Sequence, residues 1–214
     1  VNSAMCDEAG HLLDDGTVAR IGEQHFRCTS SEPWYAWFTQ HSRGFDVRIE
    51  DTTDSICGLA LQGPRARAIL RGITEFDMDR MRFFRIRRTT IAGTPVWISR
   101  TGYTGDLGYE LWVDQKHALP LCDALMAEGR SYGIAPAGLD ALDISRIEAG
   151  FILRGVDYIG ANEALVPAQK STPYELGLGW TVKLKDRDPF IGQAALEAEK
   201  QKGSKWALVG LDID

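Results

Sequence analysis

The sequence predicts an α+β fold. Strand-like and helix-like runs succeed one another without a regular strand-helix-strand alternation, which disfavours a doubly wound parallel sheet. The runs at 95–99 and 109–113 alternate bulky and small residues as half-buried strands do. With 214 residues, 44% of them hydrophobic, the chain is long enough to bury the core of one large domain or two small ones.

Taken in order, residues 3–7, 17–21 and 25–29 read as short strands of a meander. Gly10 and an Asp14-Asp15-Gly16 turn separate the first two. Residues 32–40 open with Pro33 and carry Trp34, Trp37 and Phe38, which predicts a helix whose aromatic stripe faces a core. Strands follow at 45–50 and 57–61, then a helix over 65–70 opened by Pro64, a good first-turn residue. A strand over 81–89 is flanked or occupied by Arg80, Arg82, Arg85, Arg87 and Arg88, read as the charged solvent face of an antiparallel sheet. Beyond 109–113 come helices over 115–128 and 137–149, the second preceded by Pro136. Residues 154–171 have few periodic apolar positions and read as a long irregular segment, of the kind that is often functional. A last helix over 192–202 leads to a strand-like run at 208–214.

Bulk properties exclude several functions. Lys plus Arg number 24 against 30 Asp plus Glu, a net charge of -6, and nucleic acid as a main partner needs a basic excess instead. Cys6, Cys28, Cys57 and Cys122 show no CxxC pairing, and His11, His25, His41 and His117 make no ligand pattern, so no metal site is expected. The cysteines read as reduced core thiols of a cytoplasmic protein. No apolar run approaches bilayer length and no charged-then-apolar leader opens the chain, so neither membrane insertion nor secretion is expected. Opening at Val1 in strand-like residues and closing on another such run, the chain reads as a fragment of a longer protein.

The densest motif is Arg100-Thr-Gly-Tyr-Thr-Gly-Asp-Leu-Gly-Tyr-Glu110. Its glycines are spaced like a dinucleotide fingerprint, but a strand follows where that fingerprint needs a helix N-terminus. In isolation the segment is either a binding loop or a glycine-rich hairpin whose glycines supply positive φ. Glu110 starts the following strand and can be held rigidly.

Six marks stand in order: Leu12-Leu-Asp-Asp15, Ala60-Leu-Gln-Gly-Pro64, the glycine loop, Ser145-Arg-Ile-Glu-Ala-Gly150, Leu176-Gly-Leu-Gly-Trp180 and Asp188-Pro-Phe-Ile-Gly192. Together they resemble the folate-binding part of the glycine cleavage T-protein (aminomethyltransferase) family, over essentially the whole chain. The resemblance implies a folate-binding T-protein-like fold with mixed or antiparallel sheets and flanking helices. It divides the chain into a folate-binding domain over 1–205, truncated at its N-terminus, and the start of a C-terminal β-barrel over 206–214.

By the same resemblance, tetrahydrofolate is the one-carbon acceptor. Glu110 matches the family's loop-end glutamate. A reduced pterin presents a ring N–H beside an exocyclic amine, and one carboxylate can accept both. Tyr103 matches the pocket tyrosine, a flat side chain with a hydroxyl, and the glycines let backbone approach the ligand. Asp14 matches the catalytic aspartate, whose fixed charge would stabilise cationic character developing as the carbon moves; residue by residue, Asp14 and Asp15 can also simply form a turn. Arg146 matches a pocket arginine, or is an i, i+3 partner of Asp143 on the solvent face. Trp180 matches a pocket tryptophan, or is a core aromatic.

Two departures stand out. The family usually places an aromatic upstream of the aspartate at a position that here falls near Asn2, and residues 153–164 differ in character from the loop of true T-proteins. The folate half of the site looks retained and the donor half altered. The expected activity is therefore transfer of a methylene or methyl unit from an amine, sulfide or ether donor to tetrahydrofolate. The partner is a small-molecule donor or a lipoyl carrier protein, with neither nucleic acid nor membrane involved. A non-catalytic folate-binding module is the alternative, although the KGCYxGQE signature of such relatives is missing. The folate-binding segment of a larger amine-oxidising flavoprotein is another.

Overall fold

A computed structural model of the protein describes residues 1–211. They pack as two compact units, one of Val1–Trp34 with the residues that follow Phe151, the other of Tyr35–Phe151.

In the first unit, β1 (Asn2–Cys6), β2 (Leu12–Arg20) and β3 (Phe26–Ser30) form an antiparallel sheet in that order. The turn between β1 and β2 lies at 7–11, where the Asp7 carboxylate accepts from the backbone N–H groups of Ala9 and His11. The turn expected at Asp14-Asp15-Gly16 does not form. Leu12 and Leu13 are buried, so β2 begins at the core, and Asp14, Asp15 and Gly16 are strand residues opposite Met5, Ala4 and Ser3. A Cβ on Gly16 would overlap the Thr29 carbonyl of β3, so this glycine permits close strand approach rather than a turn. Leu12, Cys6, Tyr158, Leu176, Leu178 and Leu196 form the unit's core, the last from α5 (Gln193–Lys202). Burial pushes the Cys6 thiol up to about 12.

Residues 154–171 form no strand and no helix beyond the single 3-10 turn Pro167–Gln169. They act as a strap along β2. Leu12 donates to the Ser171 carbonyl, Ala161 donates to the Leu12 carbonyl, and the Arg154 side chain donates to the Leu13 carbonyl. The strand-like run at 208–214 is not a strand over its described part, 208–211, and its remainder, 212–214, lies outside the described residues, as does the end of the barrel expected from 206.

The second unit holds a four-stranded antiparallel sheet in the order β4 (Ile56–Gln62), β7 (Gly108–Asp114), β6 (Thr94–Ser99), β5 (Ile86–Ile91). One sheet face packs on α2 (Ala66–Ile73) and α3 (Ala118–Gly129), through Ile69, Leu70, Leu121 and Leu125. Along β7 the period of two is strict. Tyr109, Leu111 and Val113 enter this core, and Glu110 and Trp112 point to the opposite face.

Three expectations fail here. The strand expected over 81–89 starts only at Ile86, because 78–80 wind into a 3-10 turn capped by Asp77 and Phe84 adopts φ 55, which breaks extension. Arg87 and Arg88 do face solvent. Residues 45–50 alternate like a strand but form none, and Phe45 and Val47 stay exposed. The helix expected over 32–40 is α1 (Tyr35–His41), and none of its residues is buried. Its aromatics pack on one another instead: Trp37 stacks on His41 at 3.9 Å and meets Phe38 edge-on at 5.7 Å. The helix over 137–149 forms as α4 (Leu139–Glu148). No helix among the described residues is long and apolar enough to cross a membrane.

Candidate functional site

Glu110 sits where sequence alternation places it, as the third residue of β7 on the face away from the core. Its cross-strand neighbours are Ala60 of β4 and Ser99 of β6, both small, so space is left above the carboxylate. Thr101 donates its hydroxyl to Glu110 Oε2, and Ser99 Oγ approaches the same oxygen at 3.4 Å. Both contacts fall on Oε2. The half-exposed carboxylate is thus oriented from one side, and Oε1 carries neither contact.

Tyr103 and Arg146 are brought together through a residue that sequence reading missed. The Tyr103 ring stacks on Phe151 with centroids 5.5 Å apart and planes 8° from parallel. Arg146, 1% exposed, sends Nη1 to the Phe151 carbonyl at 3.1 Å and pairs with Asp143 through Nε at 2.8 Å. The i, i+3 pair with Asp143 exists, but the arginine is buried rather than on the solvent face. Gly105 adds a further contact: its φ of 77 and the missing Cβ, which would lie 2.7 Å from Ala149 Cβ, let the glycine loop rest on the end of α4.

Gln62, the last residue of β4, is the second residue missed. A Cβ on Gly102 would lie 2.7 Å from Gln62 Cδ, and one on Gly108 would lie 2.6 Å from Gln62 Nε2. The Gln62 amide fills the room of two absent side chains. It donates to the Tyr109 carbonyl at 3.3 Å and accepts from Thr104 at 3.3 Å. Gly102 and Gly108 therefore make space for Gln62, a contact absent from the reading of the three glycines as points of backbone approach.

The first unit carries Asp14 and Trp180. Asp14 is fully buried, and its carboxylate is wrapped by donors: Ser31 Oγ at 2.8 Å to Oδ1 and 2.9 Å to Oδ2, Trp34 Nε1 at 2.7 Å, and the amides of Asp15 and Glu32 at 2.9 and 3.3 Å. Asp15, expected as a turn-former, instead accepts from the Tyr158 hydroxyl at 2.9 Å. Burial foremost, and then the neighbouring Asp14 charge, hold Asp15 above the usual carboxylate range, against the hydrogen bonds from Tyr158 and Asn2. The Tyr158 phenol is pushed up by burial and by the same two aspartates. Trp180 lies on the 3-10 turn Gly179–Thr181 and is 66% exposed, which rules out a core aromatic.

Residues 2–186 match the model of the GCVT N-terminal domain. The chain belongs to this family. The chain is 38% identical over 226 residues to the trimethylamine-oxide aldolase of Ruegeria pomeroyi, with 100% of this chain and 27% of that protein covered. It is 36% identical to the aminomethyltransferase of Caldanaerobacter subterraneus subsp. tengcongensis, covering 98% of this chain and 54% of the relative. The glycine cleavage system aminomethyltransferase T of Bartonella henselae superposes with a TM-score of 0.74 at 25% identity, over 94% of this chain and 53% of that one. The chain thus spans about half the length of the aminomethyltransferases it matches and about a quarter of the aldolase.

Five of the six motifs fall within the matched residues 2–186, with Asp188-to-Gly192 just beyond them, and they are divided between the two units. Glu110, Tyr103 and Arg146 belong to the second, and Asp14 and Trp180 to the first. Phe151 was within reach of the sequence, since it directly follows the Ser145-to-Gly150 motif. Gln62 lies inside a quoted motif, but its contact with the glycine loop spans more than 40 positions and left no local signal.

Proposed function

We propose that this GCVT-family chain is the folate-binding segment of a tetrahydrofolate-dependent one-carbon transferase. The observation that carries the reading is Glu110, a half-exposed carboxylate oriented through Oε2 by Thr101 and Ser99 between two small neighbours. That arrangement suits a pterin edge, whose two adjacent N–H donors one carboxylate accepts. Tetrahydrofolate supplies the nucleophilic ring nitrogen that takes the carbon. Tyr103, backed by Phe151, offers a hydroxyl at the edge of a stiffened aromatic pair, and Arg146 holds the Phe151 carbonyl. The exposed Trp180 offers a flat apolar surface.

Asp14 is the catalytic carboxylate in this reading. Held by several donors at once, it acts as an oriented negative charge that stabilises positive charge arising at the reacting nitrogen, and not as a mobile proton carrier. Such a charge needs no reorganisation when the carbon moves. The donor is a methylated amine or amine N-oxide, which gives up one carbon and leaves as the demethylated amine, rather than a lipoyl carrier protein. Support comes from the 38% identity to a trimethylamine-oxide aldolase and from the unusual 153–164 segment. It also favours the segment working inside a longer protein. We place the protein in the cytoplasm, on the free thiols of Cys6, Cys28, Cys57 and Cys122.

The test is Asp14→Asn with tetrahydrofolate and methylated amines or amine N-oxides as donors. Turnover is expected to fall by about two to three orders of magnitude, the loss typical of removing a preorganised electrostatic group, with folate affinity preserved. Unchanged turnover would remove Asp14 from the chemistry. Transfer from an aminomethyl-lipoyl carrier but from no methylated amine or amine N-oxide would overturn the donor assignment.

A further inference from the structure

Asp14 owes its orientation to residues that are themselves held. Trp34 and Glu32, two of its donors, follow β3 in a segment without regular structure, and the peptide before Asp14 is the Leu13 carbonyl. One side chain touches all three. Arg154, at the start of the strap, has a side chain only 4% exposed. Its Nε donates to the Leu13 carbonyl at 3.0 Å, Nη1 pairs with Glu32 Oε1 at 3.2 Å, and the guanidinium lies 5.8 Å from the Trp34 ring centroid. Nη2 is anchored in turn by Glu163 Oε1 at 3.0 Å and Asn162 Oδ1 at 3.5 Å.

We propose that Arg154 is a positioning residue for the Asp14 carboxylate, fixing the peptide that precedes it and two of the three residues that donate to Oδ2, Glu32 and Trp34. The inference rests on the role given to Asp14 above. Two features support it. Space for it is kept by Gly160, where a Cβ would lie 2.7 Å from both Arg154 Nε and Nη2. And the contacts diverge in a way that only a planar fork serves: a lysine ammonium is a single point that cannot reach the Leu13 carbonyl, Glu32 and Glu163 together while lying over an indole. Two carboxylates on one arginine exceed what neutralisation requires, which fits a cross-link between the 13–14, 32–34 and 162–163 segments.

The experiment reads Trp34 directly. In the ¹⁵N-labelled protein the Trp34 indole signal, assigned by Trp34→Phe, reports the 2.7 Å bond to Asp14 Oδ2. Arg154→Ala is expected to shift that signal upfield and to speed its solvent exchange at least about tenfold, the equivalent of 1.4 kcal/mol, with the other indole signals in place. Arg154→Lys, the variant kept for the case that alanine does not fold, is expected to move it the same way by less. With tetrahydrofolate and trimethylamine N-oxide as probe substrates, kcat is expected to fall between about ten- and a hundredfold while the folate Kd stays constant. An unmoved Trp34 indole in a folded variant overturns the proposal, as does a moved indole with undiminished kcat in a protein that Asp14→Asn inactivates. If Asp14→Asn leaves turnover intact, or the native protein does not use the probe, the functional reading fails instead, and the indole signal still decides whether Arg154 holds the carboxylate.

Discussion

Gly108→Ala is expected to damage the glycine loop through Gln62, and the structure sets the scale. The new Cβ would lie 2.6 Å from Gln62 Nε2, so the amide must leave. Expulsion breaks the bonds to the Tyr109 carbonyl and from Thr104, each worth about 1 kcal/mol net, and the overpacking adds about 1–3 kcal/mol. The variant should therefore lose about 3–5 kcal/mol of stability in urea denaturation followed by fluorescence. Gln62→Ala alone loses the same two bonds and leaves an empty space, for about 2 kcal/mol. In the double variant the clash is absent and the new methyl fills part of that space. The two costs should then fall short of additivity by at least about 1 kcal/mol, as neighbours that share one cavity do. Full additivity would show that Gly108 serves something other than Gln62, and the account of the loop would be wrong.

Two further outcomes follow from the geometry. Phe151→Ala removes the ring stacked on Tyr103, a pair worth about 0.5–1.5 kcal/mol, and is expected to weaken tetrahydrofolate binding about two- to tenfold in calorimetry; unchanged affinity would show that Tyr103 needs no backing. Asp15→Asn tests the buried aspartate. The folded state raises its pKa above the unfolded value of about 3.9, so the stability linked to its protonated form is complete below that value and is lost as pH rises through the raised one. Asparagine keeps an acceptor for the Tyr158 hydroxyl and carries no charge, so the variant should melt higher than the native protein at pH 7 and converge on it below about pH 4. A variant less stable at pH 7 would contradict the sign.

The fold and the placement of the candidate site residues were legible in sequence wherever the physical signal is local. The period of two through 109–113 placed Glu110 on the open face of β7, and Pro64 marked the start of α2 to within a residue or two. Misreadings arose where a distant partner decides. Asp14-Asp15-Gly16 has turn composition, yet the carboxylate of Asp14 is met by Ser31 and Trp34, 17 and 20 positions away, and Gly16 is small because β3 presses on it. Residues 45–50 alternate correctly but have no strand beside them, and a strand without a partner does not form. The start of β5 was hidden by the positive φ of Phe84, which no residue type announces. Arg154 reads in sequence as one more charged loop residue. Its function depends on Leu13, 141 positions earlier.

The central claim is that Glu110 is the pterin acceptor of a folate site, and calorimetric titration of tetrahydrofolate into the native protein and Glu110→Ala tests it most directly. Hydrogen bonds to a charged group contribute about 1.5–3 kcal/mol, so the variant should bind about ten- to a hundredfold more weakly while keeping its fold. Equal affinity in the two proteins would contradict the account.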